Sequence, residues 1–425
     1  MKTIDELSRK ERRGILDRDA STDDAEDVVK EIVTEVKSRG DEAVEEYTEK
    51  FDGYFFEGKS IEVKEGELET AGDKVEEDVL EAIQEAAGNI REFHEKQLES
   101  GYEVEVPGND GVTVGREQVA LGTAGLYVPG GGAAYPSTAL MTAVPAKVAG
   151  VERVVAASPP PINSVTLAAL NVAGVDEVYR MGGAQAVAAF GYGTEKVEPV
   201  DCIVGPGNVY VTAAKKQVRD DAGVKIEFPA GPSEIGVVAN GDAHPEYVAA
   251  DVLAQLEHDP NSRGVVTATN EKFASELENE IKRQMESMER QETAEKAEYN
   301  VLVGGKDDCV EFMCEYAPEH LSLVLGDREE EKELLSEIPT AGSVFLGSYS
   351  PVALGDYASG TNHVLPTMGW AKLHGGLSVD DFMKTFTYQR ASREGLKDIS
   401  DVVTTLARVE GLKKHADSVE IRFDE

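Results

Sequence analysis

From about Gln118 onward, short β-rich runs alternate with Ala-rich stretches of helical spacing, and no other feature limits the fold of this chain as much. Val151 to Ala157, Val175 to Tyr179 and Val200 to Val204 each precede a helical stretch. Strands separated by a helix pair in parallel, so this alternation predicts an α/β protein, a parallel sheet with helices on its faces. A second α/β stretch starts near Ile235, passes Gly264 to Thr269, includes a charged helix from about Glu271 to Lys296, resumes at Tyr299 to Val303 and ends on Val344-Phe345-Leu346. Ahead of both, Ser21 to about Phe51 reads as a helical pair capped by Ser21, with Val28, Val29, Ile32, Val33 and Val36 at helical spacing. Thr70 to about Leu98 repeats that pattern with Val75, Val79, Ile83, Ile90 and Phe93 facing inward. At 425 residues the chain exceeds one core, so two or more domains follow. No internal repeat or low-complexity linker is evident.

Charge narrows the partners. A net −39 repels nucleic acid and anionic membranes, which argues against both as partners. It also opposes compaction unless salt screens it, which points to a salt-rich, halophilic cytosol. The longest apolar stretch, around Leu140 to Val155, is interrupted by Pro145, Lys147, Glu152 and Arg153 and is too short to span a membrane. Met1 to Gly14 lacks a signal-peptide apolar block, so a cytoplasmic location is expected. Cys202, Cys309 and Cys314 form neither a disulfide framework nor a CxxC pair and read as ordinary thiols.

Several strands end in glycine-rich turns: Tyr127-Val-Pro-Gly-Gly-Gly132, Met181-Gly-Gly-Ala-Gln185 and Gly205-Pro-Gly-Asn208. Open α/β sheets bind ligands at such strand ends. None is a complete dinucleotide fingerprint, and alone each reads first as a tight connection and second as a cofactor cradle. Further on, His258 follows Gln255 by three residues in a helical stretch, which puts both side chains on one face. They read as a hydrogen-bonded polar couple or as two metal donors; Glu257 lies on another face. Glu319 and His320 adjoin Pro318, at a turn, and an adjacent carboxylate and imidazole suit proton transfer near neutral pH. Asp356 and His363 share a glycine-flanked loop, and His415 lies near the end with Glu410. His374 has no acidic neighbour, while His94 and His244 read as surface residues.

These stretches carry a resemblance to the histidinol dehydrogenase family over nearly the whole length. The motifs are Gly125-Leu-Tyr-Val-Pro-Gly-Gly, Val204-Gly-Pro-Gly-Asn208, Pro229-Ala-Gly-Pro-Ser-Glu234, Gln255-Leu-Glu-His258, Ala317-Pro-Glu-His320, Gly355-Asp-Tyr through Gly360-Thr-Asn-His-Val-Leu-Pro-Thr367, and Glu410-Gly-Leu-Lys-Lys-His415, in family order. The resemblance implies two incomplete Rossmann-like domains with small helical segments at both ends. Residues 1–19 would be the first segment, 20–126 with 235–376 a zinc and substrate domain, 127–234 an NAD domain, and 377–425 a segment crossing to the partner of a homodimer with shared active sites. It further implies oxidation of L-histidinol to L-histidine through L-histidinaldehyde, the last steps of histidine biosynthesis, with NAD and zinc. The zinc ligands would be Gln255, His258, Asp356 and His415, with manganese or cobalt also accepted. Tyr127, Gln185 and Asn208 would contact NAD, and Ser233, His320, His363 and Glu410, with the zinc ligands, would hold histidinol. His320 would take the hydroxyl proton and Glu319 would activate water onto the aldehyde. Glu227 and Phe228, where relatives often carry an aspartate, and Ala254, where serine is common, are slight departures without assigned roles. Two alternatives stand beside this reading: a dehydrogenase of another small amino or hydroxy alcohol, and a metal-dependent hydrolase using Glu319.

Overall fold

The computed structural model describes residues 2–18, 23–130, 134–229 and 231–424. Ser21, Gly131, Gly132 and Ala230, which entered the cap, turn and signature readings above, lie outside the described residues. In chain order the strands are β1 (Lys2–Thr3), β2 (Tyr102–Val106), β3 (Asn109–Ala120), β4 (Thr123–Tyr127), β5 (Arg153–Ser158), β6 (Glu177–Arg180), β7 (Cys202–Val204), β8 (Lys225–Ile226), β9 (Glu234–Ala239), β10 (Arg263–Ala268), β11 (Glu298–Val303), β12 (His320–Val324), β13 (Ser343–Leu346) and β14 (Met383–Ala391). The chain divides into two compact units, one of Met1–Gln97 with Leu121–Phe382 and one of Leu98–Ala120 with Met383–Glu425.

The first unit contains two wholly parallel sheets, ordered β6-β5-β4-β7-β8 and β1-β11-β10-β9-β12-β13. Setting aside the edge strand β1, both follow one plan: the third, second, first, fourth and fifth strands in chain order lie side by side. The repeat is one of topology, not of sequence, because a strand covered on both faces requires only an apolar run. Val154 to Ala157 of β5 and Ile235 to Ala239 of β9 are such runs, buried throughout.

The amino-terminal helices cover the five-stranded sheet. Asp23–Arg39 and Asp41–Asp52 bury Val29, Ile32, Val33, Val36, Ala43 and Val44 in one core with the helices Gly183–Tyr192 and Val209–Ala222, while Val28 is exposed. Glu77–Glu95 packs on Pro136–Ala149 and Ser164–Ala173. This packing joins residues 23–95 to the five-stranded sheet, where the sequence reading grouped them with 235–376. The inward stripe of Glu77–Glu95 is Ile83, Ala87, Ile90 and His94, a spacing of one helical face. Phe93, expected inward, falls beside that stripe and is exposed, and Val79, on the stripe but in the first turn of the helix, is exposed too; His94, expected at the surface, is fully buried on it. Among the described residues no helix is long and apolar enough to cross a membrane.

In the second unit β14, β3 and β2 form an antiparallel sheet. Helix Arg393–Val409 packs on β3, held by Asn109, whose amide donates to Gly395 O at 2.8 Å, and helix Lys413–Glu420 packs on that helix. Val402, Leu406 and Val409 leave a largely exposed apolar face on the longer helix.

Candidate active site

The titratable residues gather at the amino edge of the six-stranded sheet. β9 opens with Glu234 and β12 with His320, and the two strands pair directly. Helices in a parallel sheet run back against the strands, so the carboxyl ends of Pro245–Leu256, Lys306–Tyr316 and Val352–Tyr357 return to this same edge. They bring Gln255, Tyr316 and Asp356 with them. Ala317, in the left-handed region at φ 49°, ends the second of these helices and turns the chain through Pro318 into Glu319 and His320.

Glu234 is the common partner. Its N–H donates to Glu319 Oε2 at 2.8 Å, and its carbonyl lies 3.1 Å from His320 Nδ1. Its own carboxylate accepts from Arg18 Nη1 at 2.5 Å and from the Met368 N–H at 3.0 Å. His320 Nε2 is buried without a hydrogen-bond partner and lies 3.6 Å from Asp356 Oδ1, beyond hydrogen-bond range. His363 Nδ1 is 2.9 Å from the Asp356 carbonyl, and Ser233 Oγ is 3.1 Å from His258 Nδ1. His258 stands just past the end of its helix, with its N–H bonded to Gln255 O at 3.2 Å. The loop carrying His363 is anchored by Asn362, whose amide donates to Met141 O at 2.7 Å and lies 3.1 Å from His94 Nε2.

Electrostatics follow from this crowding. Burial pushes the Glu319 carboxyl up, to about 8, against the pull of His320 and the Glu234 N–H. Burial disfavours charge on His320, but the Glu319 and Asp356 carboxylates outweigh it and raise the imidazole to about 9. Burial also raises Asp356, yet His320, His363 and His258 more than offset this and hold it below the usual carboxylate range.

Residues expected at the cofactor lie instead at the carboxyl edge of the five-stranded sheet. Tyr127 ends β4, buried, with its hydroxyl accepting from the Gly183 N–H at 3.2 Å. Gln185, in the first turn of Gly183–Tyr192, is buried, and neither its Nε2 nor its Oε1 has a partner. Asn208 caps Val209–Ala222, its Oδ1 accepting from the Tyr210 and Val211 N–H groups, both at 3.1 Å. Gly205, at φ 120°, lets the turn after β7 pass so close to the Tyr127 carbonyl that a Cβ there would collide with it. Beneath that turn lies a buried ion pair without a role in the sequence reading: Lys215 Nζ is 2.5 Å from Glu227 Oε1 and also donates to Gly205 O, while the Gly205 N–H donates to Glu227 Oε1 at 3.2 Å. Glu227, noted as a departure, therefore shapes the turn that carries Asn208.

Among the described residues no three His, Cys, Asp or Glu side chains converge closely enough to hold a metal. Of the expected ligands the first unit supplies only two of those types, His258 and Asp356, which interact electrostatically; Gln255 adds an amide oxygen, buried and without a partner. An orphaned amide oxygen, an imidazole and a carboxylate are donor types that suit a cation accepting nitrogen and oxygen. Glu410 and His415 belong to the second unit, where both are exposed. Sequence reasoning missed Arg18, which no motif marks, and Glu234, which closes a signature but was given no task.

A profile of the histidinol dehydrogenase family matches residues 16–423. The chain is 48% identical over 431 residues to the histidinol dehydrogenase of Haloarcula marismortui, with both chains covered completely. It is 47% identical to that of Methanocaldococcus jannaschii, covering 100% of this chain and 98% of the relative. The crystal structure of histidinol dehydrogenase from Elizabethkingia anophelis superposes with a TM-score of 0.92 at 36% identity, covering 98% of this chain and 96% of that one. With its parallel α/β sheets, its acid–base edge and this full-length likeness, the chain belongs to the histidinol dehydrogenase family of oxidoreductases.

Proposed function

We propose that the protein oxidises L-histidinol to L-histidine in two steps through L-histidinaldehyde, with NAD and zinc, using Rossmann-like halves for cofactor and substrate. The observation that carries this reading is His320, with Nδ1 turned to the Glu234 carbonyl and Nε2 buried and unpartnered. Donation from Nδ1 fixes the tautomer, so the Nε2 lone pair is the one available to a substrate hydroxyl. Two NAD molecules, bound one after the other, would each supply the acceptor for one hydride, and zinc would supply a fixed charge that orients the substrate's amine and imidazole. Gln255, His258 and Asp356 would hold the metal, completed by His415 of the partner copy in a homodimer. The exposed apolar face of Arg393–Val409 supports a partner, and family likeness supports the sharing.

In the first step His320 Nε2 takes the hydroxyl proton while the adjacent carbon loses hydride and becomes the aldehyde. A cation held at Asp356 would remove that carboxylate's pull on His320 and so favour the neutral imidazole this task needs, against the remaining pull of Glu319. Glu319, oriented by the Glu234 N–H, then removes a proton from water as its oxygen bonds to the aldehyde carbon. The resulting diol loses a second hydride from carbon and a proton from oxygen, giving the carboxylic acid, which releases a further proton to become the carboxylate. Ser233, His363 and the partner's Glu410 would hold the substrate. Tyr127, the unpartnered amide of Gln185 and Asn208 would contact NAD at the carboxyl edge of the five-stranded sheet, where the helix amino termini favour the pyrophosphate.

The test is stoichiometry. Metal-loaded protein given limiting histidinol should form about two reduced nicotinamides per histidinol consumed, following the two-hydride account. One per substrate, with free aldehyde accumulating, would contradict it.

A further inference from the structure

Arg18 and Glu234 form a buried pair that no motif accounts for, and its surroundings give it a task. Both side chains are almost wholly withdrawn from solvent, at 4% and 3% exposure. Arg18 also donates through Nη2 to the Tyr316 carbonyl, and its guanidinium lies 3.9 Å from the centre of the Tyr316 ring. Tyr316 is the last residue of the helix that hands the chain through Ala317 and Pro318 to Glu319. One guanidinium thus ties together the carboxylate of Glu234, at the head of β9, and the backbone that enters β12.

We infer that Arg18 and Glu234 are positioning residues that set the register of Glu319 against His320. The argument rests on the proposed roles of those two residues. The backbone polar groups of Glu234 serve one residue each: the N–H bonds Glu319 Oε2 and the carbonyl faces His320 Nδ1. Anchoring the Glu234 side chain from two sides, by Arg18 and by the Met368 N–H, fixes the rotation of that residue, and with it the directions of both backbone groups. The guanidinium forks, Nη1 to the Glu234 carboxylate and Nη2 to the Tyr316 carbonyl, a two-pronged reach that an ammonium does not reproduce. Substrate, metal and NAD contacts lie on other residues, so loosening the clamp should impair turnover and leave binding intact. A purely structural pair would instead lower stability and spare the turnover of the folded fraction.

The test uses full-length, metal-loaded protein with Arg18→Met, Arg18→Lys and, as a reference, His320→Asn. In Arg18→Met kcat should fall on the order of 10- to 100-fold, as expected when reacting groups shift by a fraction of an ångström. KM for histidinol and for NAD, and zinc content, should stay within about threefold, because the contacts that set them are untouched. Methylguanidinium added to Arg18→Met should recover part of kcat by refilling the slot. If Arg18→Met does not fold, Arg18→Lys decides: kcat lowered with KM unchanged supports the clamp, and kcat within about twofold of the parent at unchanged KM overturns it. A rise in KM with kcat unaltered overturns it as well. His320→Asn separates the two failures: if it is inactive while folded Arg18 variants turn over normally, the clamp alone is wrong, and if it is active, the underlying base assignment is wrong.

Discussion

The two parallel sheets share a strand order yet gather the residues singled out above at opposite edges. In the five-stranded sheet Tyr127, Gln185 and Asn208 lie at the carboxyl ends of strands, where helices begin. In the six-stranded sheet Glu234 and His320 open their strands, and Gln255, Asp356 and Tyr316 arrive on helices that end there. Helix amino termini carry partial positive charge and helix carboxyl termini partial negative charge. The first edge therefore favours an anion such as a pyrophosphate, and the second a cation such as a metal or an amine. On the proposed roles, one topology would serve both sides of a dehydrogenase reaction from its two ends.

The largest effect that sharpens this comparison concerns the buried pair under the cofactor-side turn. Lys215→Met leaves Glu227 buried without its cation, with only the Gly205 N–H still bonded to it, and the folded state should lose about 3–5 kcal/mol. Thermal unfolding measures this loss, and a midpoint unchanged from the parent would mean that water or another cation already reaches Glu227. Smaller, and confined to the other edge, is Gln255→Leu, which removes the orphaned amide oxygen without emptying the helix. Zinc affinity should weaken at least as much as for loss of a supporting group, on the order of 10- to 100-fold, with NAD affinity unaltered. Equal losses of both ligands would break the division between edges.

How far the sequence revealed these edges follows from which signals reach it. Between Arg153 and Leu346 the strands β5, β6, β7, β9, β10, β11 and β13 were legible because burial on both faces favours apolar runs, whereas β8 and β12 were not read. β2, β3 and β14 were not read: Tyr102, Val104 and Phe386 are exposed, so these strands lack a clean buried face. The glycine turns do lie at strand carboxyl ends in one sheet, but no local signal shows that Glu234 and His320 open their strands at the amino edge of the other. That placement depends on helices ending together, which arises only in the assembled fold. Glu319, His320, Asp356 and His363 were singled out by their neighbours in sequence, and the structure brings them together with His258. The Arg18–Glu234 pair spans 216 positions and leaves no local trace. His94 misled for the reverse reason, since a histidine among charged residues gives no sign that Asn362 awaits it from far along the chain.

The central claim is that adjacent residues divide the reaction, His320 for the alcohol and Glu319 for the water that attacks the aldehyde. The most direct measurement is reduced-nicotinamide formation by His320→Asn and Glu319→Gln, each given histidinol and, separately, histidinaldehyde. The account predicts that His320→Asn slows oxidation of the alcohol most, while Glu319→Gln spares that step and slows oxidation of the aldehyde on the order of 10²-fold or more. Equal losses by both variants on both substrates would contradict it.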